Sequence, residues 1–303
     1  MGEHDWLKGI FPPIPTAFHA DGSLGEPPPG WLDSLARAGL DGVVALGSNG
    51  EAPTLTEAER LRWIREIRAG LPRPLRLIAG TGADSTPATI ERTRAAADEG
   101  AEAALVIPPF YFRRHLTPDA LRRHYHALAE ASPIPVLIYN IPPHMGYDLT
   151  PEWIIAIGGH PNLAGMKESS GDLARIPTLR QALGDDFAIL TGSGERLLDA
   201  LLAGADGSIA ALADLAPAAS VTIRNAWRER RLEQARREQQ LIAPLGQALT
   251  RGYGVPGVKA GVRMLGFAHG EPRPPLPPLP AEELPVLRRL LADAELLPRA
   301  LAS

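Results

Sequence analysis

The feature that most constrains this chain is a recurrence. Eight short apolar runs punctuate it: Ile10–Ala17, Val43–Leu46, Leu75–Ala79, Ala103–Ile107, Pro135–Tyr139, Leu163–Met166, Ala188–Leu190 and Gly207–Ala211. Each is too short for a helix, and several are rich in Val or Ile, as buried strands are. Helix signals of one type fill the gaps. Thr86-Pro87, Thr117-Pro118 and Thr150-Pro151 each set an N-cap hydroxyl before a proline at the first helical position. Thr56-Glu57-Ala58-Glu59 reads as a capping box, with Leu61, Ile64 and Ile67 along one helical face behind it. Gly70 and Gly100 stand where those helices should stop. Strand alternating with helix predicts a parallel sheet, and eight such units predict a (β/α)8 TIM barrel rather than an open doubly wound sheet.

Beyond residue 225 the pattern turns helical. Ala226–Ala248 and Glu282–Leu297 read as helices, with a shorter stretch near Val258–Leu265. The run Glu271–Pro280 between the last two could serve as a polyproline ligand, but in a chain with 31 prolines a rigid connecting loop is the simpler reading. The sequence therefore divides into a barrel over 1–225 and a C-terminal helical extension over 226–303, packed on the barrel.

Composition matters here mainly for what it removes. The absence of cysteine excludes thiolate catalysis, zinc ribbons, iron–sulfur clusters and disulfides. A net charge of −4 gives no hint of a polyanion-binding surface. There is no secretory signal at the start, no myristoylation pattern after Met1-Gly2, and no apolar run near the ~20 residues of a membrane span. A cytoplasmic protein with no nucleic-acid or membrane partner is expected. The cations carry more information: of 31 Lys and Arg residues only Lys8, Lys167 and Lys259 are lysine. Arginine serves wherever charge suffices, so a surviving lysine is a candidate for chemistry that a guanidinium cannot do. Lys8, near the terminus, and Lys259, in what reads as a Gly-rich loop, are expected to be remnants of base-composition drift. Lys167 is different because it directly follows the sixth run, at the end of the expected strand.

Active sites of α/β barrels form at the C-terminal ends of the strands. Those ends here carry Gly47-Ser48-Asn49-Gly50-Glu51, Pro108-Pro109-Phe110-Tyr111, Tyr139-Asn140, Gly165-Met166-Lys167-Glu168-Ser169 and Thr191-Gly192-Ser193-Gly194. An amine in apolar surroundings sheds its proton more readily, attacks a ketone, and turns it into a protonated imine that accepts electrons. The alternative is a structural ion pair, but Glu168, the adjacent residue on the strand, faces the opposite way. Tyr139 is either a proton shuttle or an aromatic that fills the barrel. Ser48 and Asn49 form either a carboxylate cradle or merely a tight turn. Other chemistries are poorly supported. His124 and His126 are two apart, which points their rings away from each other on a helix. No Walker motif occurs, and Gly80-Thr81-Gly82 and Gly192-Ser193-Gly194 lack the third glycine of a dinucleotide loop. No metal, nucleotide or flavin cofactor is expected.

Taken in order, Gly47–Glu51, Tyr139-Asn140-Ile141-Pro142 and Gly165–Ser169 resemble the three signatures of the dihydrodipicolinate synthase/N-acetylneuraminate lyase family. Gly80–Ser85 and Pro109-Phe110-Tyr111 extend the resemblance across nearly the whole chain. It implies a class I aldolase or lyase handling pyruvate or another 2-oxo acid. It also implies roles: Lys167 as Schiff-base lysine, Tyr139 as proton shuttle, and Ser48 as the hydroxyl linking Tyr139 to a second tyrosine. Tyr111 matches that second tyrosine, which in the family crosses from the neighbouring subunit of a homodimer or homotetramer. Ser48 and Asn49 match the turn that holds the pyruvyl carboxylate, and Gly192 and Ile209 match positions whose backbone lies beside lysine and substrate.

The chain departs from the synthases at Pro143-His144-Met145-Gly146, where they carry Ser-Arg-Thr-Gly with the arginine gripping the aldehyde's carboxylate. His144 offers no bidentate fork. Gly47-Ser48-Asn49-Gly50-Glu51, with Lys167-Glu168-Ser169 followed by Gly171-Asp172, instead resembles the 4-hydroxy-2-oxoglutarate aldolase branch. Dihydrodipicolinate synthesis is the alternative reaction. A non-catalytic 2-oxo-acid sensor is the alternative of another kind, and the joint presence of Lys167, Tyr139 and Tyr111 argues against it.

Overall fold

The computed structural model describes residues 4–297; Met1-Gly2 and the last six residues of the expected extension lie outside the described residues. Seven parallel strands follow one another around a single sheet in chain order: β1 (Gly42–Ala45), β2 (Arg76–Gly80), β3 (Ala103–Val106), β4 (Val136–Asn140), β5 (Leu163–Glu168), β6 (Ala188–Thr191) and β7 (Gly207–Ser208). Helices alternate with them: α1 (Trp31–Arg37), α2 (Glu57–Gly70), α3 (Thr86–Asp98), α4 (Pro118–Ala131), α5 (Pro142–Met145), α6 (Pro151–Ile157), α7 (Arg175–Leu183) and α8 (Leu197–Leu202). After β7 come α9 (Leu212–Leu215), α10 (Pro217–Arg228), α11 (Leu232–Ala248), α12 (Gly254–Met264) and α13 (Leu284–Asp293).

The first apolar run is not a strand. Pro12, Pro13 and Pro15 have no N–H to give a ladder, so Ile10–Ala17 cannot sustain one. Its remaining donors and acceptors bridge the two edge strands instead. Phe11 N–H donates to Ser208 O at 2.9 Å, Val44 N–H to Pro12 O at 2.8 Å, and Ile14 N–H to Val44 O at 2.9 Å. This segment therefore joins β7 to β1 and closes the curled sheet.

Strand alternation sorts the side chains into two layers. Val44, Ile78, Leu105, Leu137, Tyr139, Leu190 and Ile209 share one buried cluster inside the ring. Their neighbours Val43, Leu77, Val106, Ile138, Met166 and Ile189 pack outward against the helices.

Three local expectations change. The N-cap of α3 is Ser85, whose hydroxyl accepts from Ala88 N; Thr86 is inside the helix and bonds His124 Nδ1 instead. Residues 226–248 are not one helix: α10 ends at Arg228, Arg230 takes a left-handed φ of 59°, and α11 starts at Leu232. Lys259 is not in a loop and is no remnant. It lies within α12, fully buried, in an ion pair described below. The Thr56 capping box and the Thr117 cap stand as expected.

Candidate active site

Two strands bring the central pair together. β4 and β5 place Tyr139 opposite Lys167 and Asn140 opposite Glu168. The pairing depends on an irregularity. Val136 pairs with Leu163 but Leu137 pairs with Gly165, so Ala164 is an extra residue on β5. Without it, Lys167 would fall opposite Asn140 and point to the other face, because a one-residue slip inverts a strand. With it, Met166 packs outward on the helices and Lys167 shares the inner face with Tyr139.

The outer face locks this register. Asn140 Nδ2 donates to Asp148 at 2.9 Å and to Glu168 at 3.1 and 3.2 Å, while Asn140 Oδ1 accepts from Leu149 N at 3.1 Å. Arg175 pairs with Asp148, and Glu168 accepts from Ser170 N at 2.6 Å. Burial nonetheless pushes the Glu168 carboxyl above its ordinary value. Glu168 is thus committed elsewhere, and Lys167 is left to the interior.

Inside, a chain of polar atoms runs across the mouth of the barrel. Lys167 Nζ donates to Tyr139 Oη at 3.1 Å, and Tyr139 Oη lies 3.2 Å from Ser48 Oγ. The ammonium also sits 4.3 Å from the Tyr139 ring centroid, where the ring face attracts a cation. Lys167 is 6% exposed and Tyr139 4%. Ser48 belongs to the turn after β1, which Leu46 and Glu51 enter and leave with left-handed φ values of 58° and 53°. Asn49 is in the same turn, half-buried.

A cavity of about 1070 Å³ is lined by Ser48, Tyr139 and His144 together with Tyr253, Pro256 and Leu276. Partial desolvation, and secondarily the Lys167 charge, lower the His144 imidazole from its ordinary value. Ile209 is fully buried beside Tyr139 in the inner cluster, and its N–H bonds Thr191 O at 2.9 Å. Gly192 donates to Glu168 O at 2.7 Å, and a side chain there would meet Ser169 Oγ at 2.0 Å, so only glycine fits.

Tyr111 does not join this group. Asp84 Oδ1 accepts the N–H groups of Phe110 and Tyr111 at 2.8 and 3.0 Å and holds the loop so that Tyr111 projects outward, 72% exposed and edge-on to Phe112. Three polar groups escaped the sequence reading. Ser169 Oγ is buried without a hydrogen-bond partner. Asp214, on α9, is deeply buried with both oxygens unpartnered, and burial pushes its carboxyl well above its ordinary value against the pull of Lys167. A lone acid within the apolar stretch 207–216 was the available signal. The third group is the pair Glu51–Lys259.

A closed parallel barrel with a lysine–tyrosine–serine chain at its mouth defines the class: an α/β-barrel enzyme of the lyase and aldolase kind. Residues 6–294 match the family model described as "Dihydrodipicolinate synthetase family". The chain is 35% identical to a 4-hydroxy-tetrahydrodipicolinate synthase of Methanothrix thermoacetophila, over 94% of this chain and 96% of that one. It is also 35% identical to a probable mitochondrial 4-hydroxy-2-oxoglutarate aldolase of Emericella nidulans, over 89% of this chain and 88% of that one. Among solved structures, the chloride-inhibited dihydrodipicolinate synthase of Acinetobacter baumannii, complexed with pyruvate, superposes with a TM-score of 0.89 at 33% identity. That match covers 96% of this chain and 100% of that one. The chain belongs to the dihydrodipicolinate synthetase family, whose members are pyruvate-dependent lyases and aldolases.

Proposed function

We propose that the protein is a class I lyase that makes or breaks a C–C bond between pyruvate and an aldehyde through a Schiff base on Lys167, with 4-hydroxy-2-oxoglutarate as its 2-oxo acid. The observation that carries this reading is the chain Lys167 Nζ–Tyr139 Oη–Ser48 Oγ, with links of 3.1 and 3.2 Å, whose Tyr139 and Ser48 line a cavity. The neutral Lys167 amine attacks the ketone carbon, Tyr139 gives up its proton as the carbonyl oxygen leaves as water, and the products are a protonated imine and a phenolate. In the cleavage direction Tyr139 accepts the proton of the 4-hydroxyl as the C3–C4 bond breaks, which releases glyoxylate and leaves an enamine. Protonation of that enamine and hydrolysis release pyruvate and restore the amine. Ser48 and Asn49 hold the 2-oxo acid's carboxylate, the backbone at Gly192 and Ile209 lines the reacting carbon, and His144 faces the aldehyde half.

In this reading no cofactor is needed, since the lysine itself supplies the electron sink. Tyr111, outward on its own chain, completes the relay of a second copy in a homodimer or homotetramer. Residues 226–303 form a helical extension on the barrel, and the enzyme is cytoplasmic. Among the described residues no helix is long and apolar enough to cross a membrane. A second reading, condensation of pyruvate with aspartate semialdehyde, draws support from Arg113. Its Nε lies 3.1 Å from where a side chain at Gly146 would begin, so a guanidinium stands beside the His144 loop after all.

The test is borohydride reduction with pyruvate, followed by turnover of both candidate substrates. One pyruvyl adduct per chain on Lys167, lost in Lys167→Arg, is expected, together with faster cleavage of 4-hydroxy-2-oxoglutarate than condensation with aspartate semialdehyde. An adduct on Lys8 or Lys259, or the reverse order of rates, overturns the assignment.

A further inference from the structure

Glu51 closes the turn that carries Ser48, and it does so in an unusual way. It adopts a left-handed φ of 53°, which a non-glycine residue holds only when its surroundings insist. Its carboxylate is buried, and Oε1 lies 2.6 Å from Lys259 Nζ with the two side chains 1% and 0% exposed. Oε1 has no other polar partner, while Oε2 accepts the N–H of Arg273 at 2.8 Å. Lys259 donates in addition to Glu271 O at 3.0 Å and lies 4.3 Å from the Phe18 ring centroid. Arg273 reaches back to the same region, donating to Thr54 O at 2.8 Å and to Gly22 O at 2.9 Å. From the barrel side, Thr16 Oγ1 donates to Gly50 O at 2.6 Å. The turn between β1 and α2 is therefore tied to a segment more than two hundred residues later in the chain, and that segment also supplies lining residues of the cavity, among them Tyr253, Pro256 and Leu276.

A pair this deep in the protein is a poor source of stability, because desolvating two charges offsets most of their attraction. What it does give is position. Burial pushes the Lys259 amine below its ordinary range while Glu51 pulls it back. Removing either partner leaves the other uncompensated, which ties the conformation of the turn to the seating of α12.

We propose that the Lys259–Glu51 pair is a positioning device for the catalytic relay: it holds the turn after β1 so that Ser48 Oγ stays within hydrogen-bond reach of Tyr139 Oη. Lys259 does not line the cavity, and Glu51, which does, has its carboxylate committed to Lys259 and to Arg273 N–H; both act through Ser48. This rests on the pyruvate-lyase reading above, and the test separates the two.

The reaction half that needs no aldehyde is exchange of the pyruvate methyl protons with deuterated solvent, followed by proton NMR. It requires the imine on Lys167 and then proton transfer at the methyl carbon. Lys259→Met alone strands a buried carboxylate, so the variant used is Glu51→Gln/Lys259→Met, which keeps an acceptor for Arg273 N–H and leaves no unpaired charge. It is expected to trap one pyruvate per chain under borohydride, as wild type does, and to exchange the methyl protons at least tenfold more slowly. Adding Ser48→Ala to it should cost clearly less than Ser48→Ala costs in the wild-type protein, since the pair acts through that hydroxyl. Exchange at the wild-type rate, or losses that multiply, overturn the proposal. If the double variant does not fold, Glu51→Gln alone, which removes the ion pair and keeps an acceptor for Arg273 N–H and Lys259, carries the same pair of expectations at smaller size. Failure of the wild-type protein itself to trap or exchange pyruvate would instead refute the lyase reading on which the proposal stands.

Discussion

Tyr139→Phe removes one oxygen and almost no volume, and the structure allows its two consequences to be weighed separately. The oxygen bonds Lys167 Nζ at 3.1 Å and Ser48 Oγ at 3.2 Å. Ser48 is half-buried and beside the cavity, where water can replace the lost partner. Lys167 is 6% exposed, and no other hydrogen bond to its amine is present among the described residues. The stability loss is therefore that of one buried group left unsatisfied, roughly 1–3 kcal/mol. A domain with the usual reserve of about 5–15 kcal/mol stays folded at 25 °C after such a loss. The kinetic loss is larger. General acid–base catalysis contributes roughly 10²–10⁴-fold, which corresponds to about 3–5 kcal/mol of activation free energy. Chemical denaturation, methyl-proton exchange of pyruvate and borohydride trapping on one preparation separate the two. A modest fall in stability, an adduct still on Lys167 and exchange slowed by at least a hundredfold are expected. Exchange within about threefold of wild type would refute the relay and leave Tyr139 as an aromatic that fills the barrel.

Three further outcomes are expected. Tyr111→Phe should lose activity that reappears when it is mixed with inactive Lys167→Arg chains, because each mixed dimer then holds one complete site; verified mixed dimers without activity would exclude a shared site. For Asp214 the sign follows from its raised folded-state value: stability is fully present below the usual carboxylate range and drains away as the pH rises toward that higher value. Urea unfolding should therefore show Asp214→Asn gaining on wild type between pH 5 and pH 8, and a gap that does not change with pH would contradict the burial argument. His144→Arg should raise kcat/KM for aspartate semialdehyde by about tenfold for each ~1.4 kcal/mol of new transition-state binding and leave 4-hydroxy-2-oxoglutarate cleavage no faster. No gain in coupled assays would mean that Arg113 already serves that carboxylate.

How much of this was legible in the sequence depends on range. Seven of the eight apolar runs contain strands because a buried parallel strand needs little more than a short apolar run, a local property. Ile10–Ala17 failed for an equally local reason, its prolines, which the apolar pattern concealed. The facing of Lys167 away from Glu168 followed from strand alternation alone. Its adjacency to Tyr139 did not, since that turns on the extra residue Ala164, and a bulge is a property of two paired strands rather than of either sequence. The His124 and His126 rings do part, toward Thr86 and Ile157 O respectively, as their spacing required.

Lys259 shows where such reasoning stops and what would have extended it. Three lysines survive in an arginine-rich chain, and the argument that singles out Lys167 applies equally to Lys259. Its Gly-rich surroundings, which include Gly254, Gly257 and Gly261, read as a loop. In the folded chain those glycines let α12 pack closely: side chains at Gly257 and Gly261 would meet Tyr253 at 2.2 Å and Leu215 at 2.7 Å. The same closeness leaves Lys259 no route to water, and a compact ammonium fits against Glu51 and Phe18 where the broader guanidinium fork would need more donors satisfied. Scarcity of lysine therefore marks two different demands in one chain. At Lys167 it is the capacity to lose a proton and form an imine, and at Lys259 it is the capacity to be a small charge in a place with room for nothing larger. Lys259→Arg separates them from Lys167→Arg: the first should disturb packing and leave the adduct on Lys167, whereas the second should keep the fold and abolish the adduct.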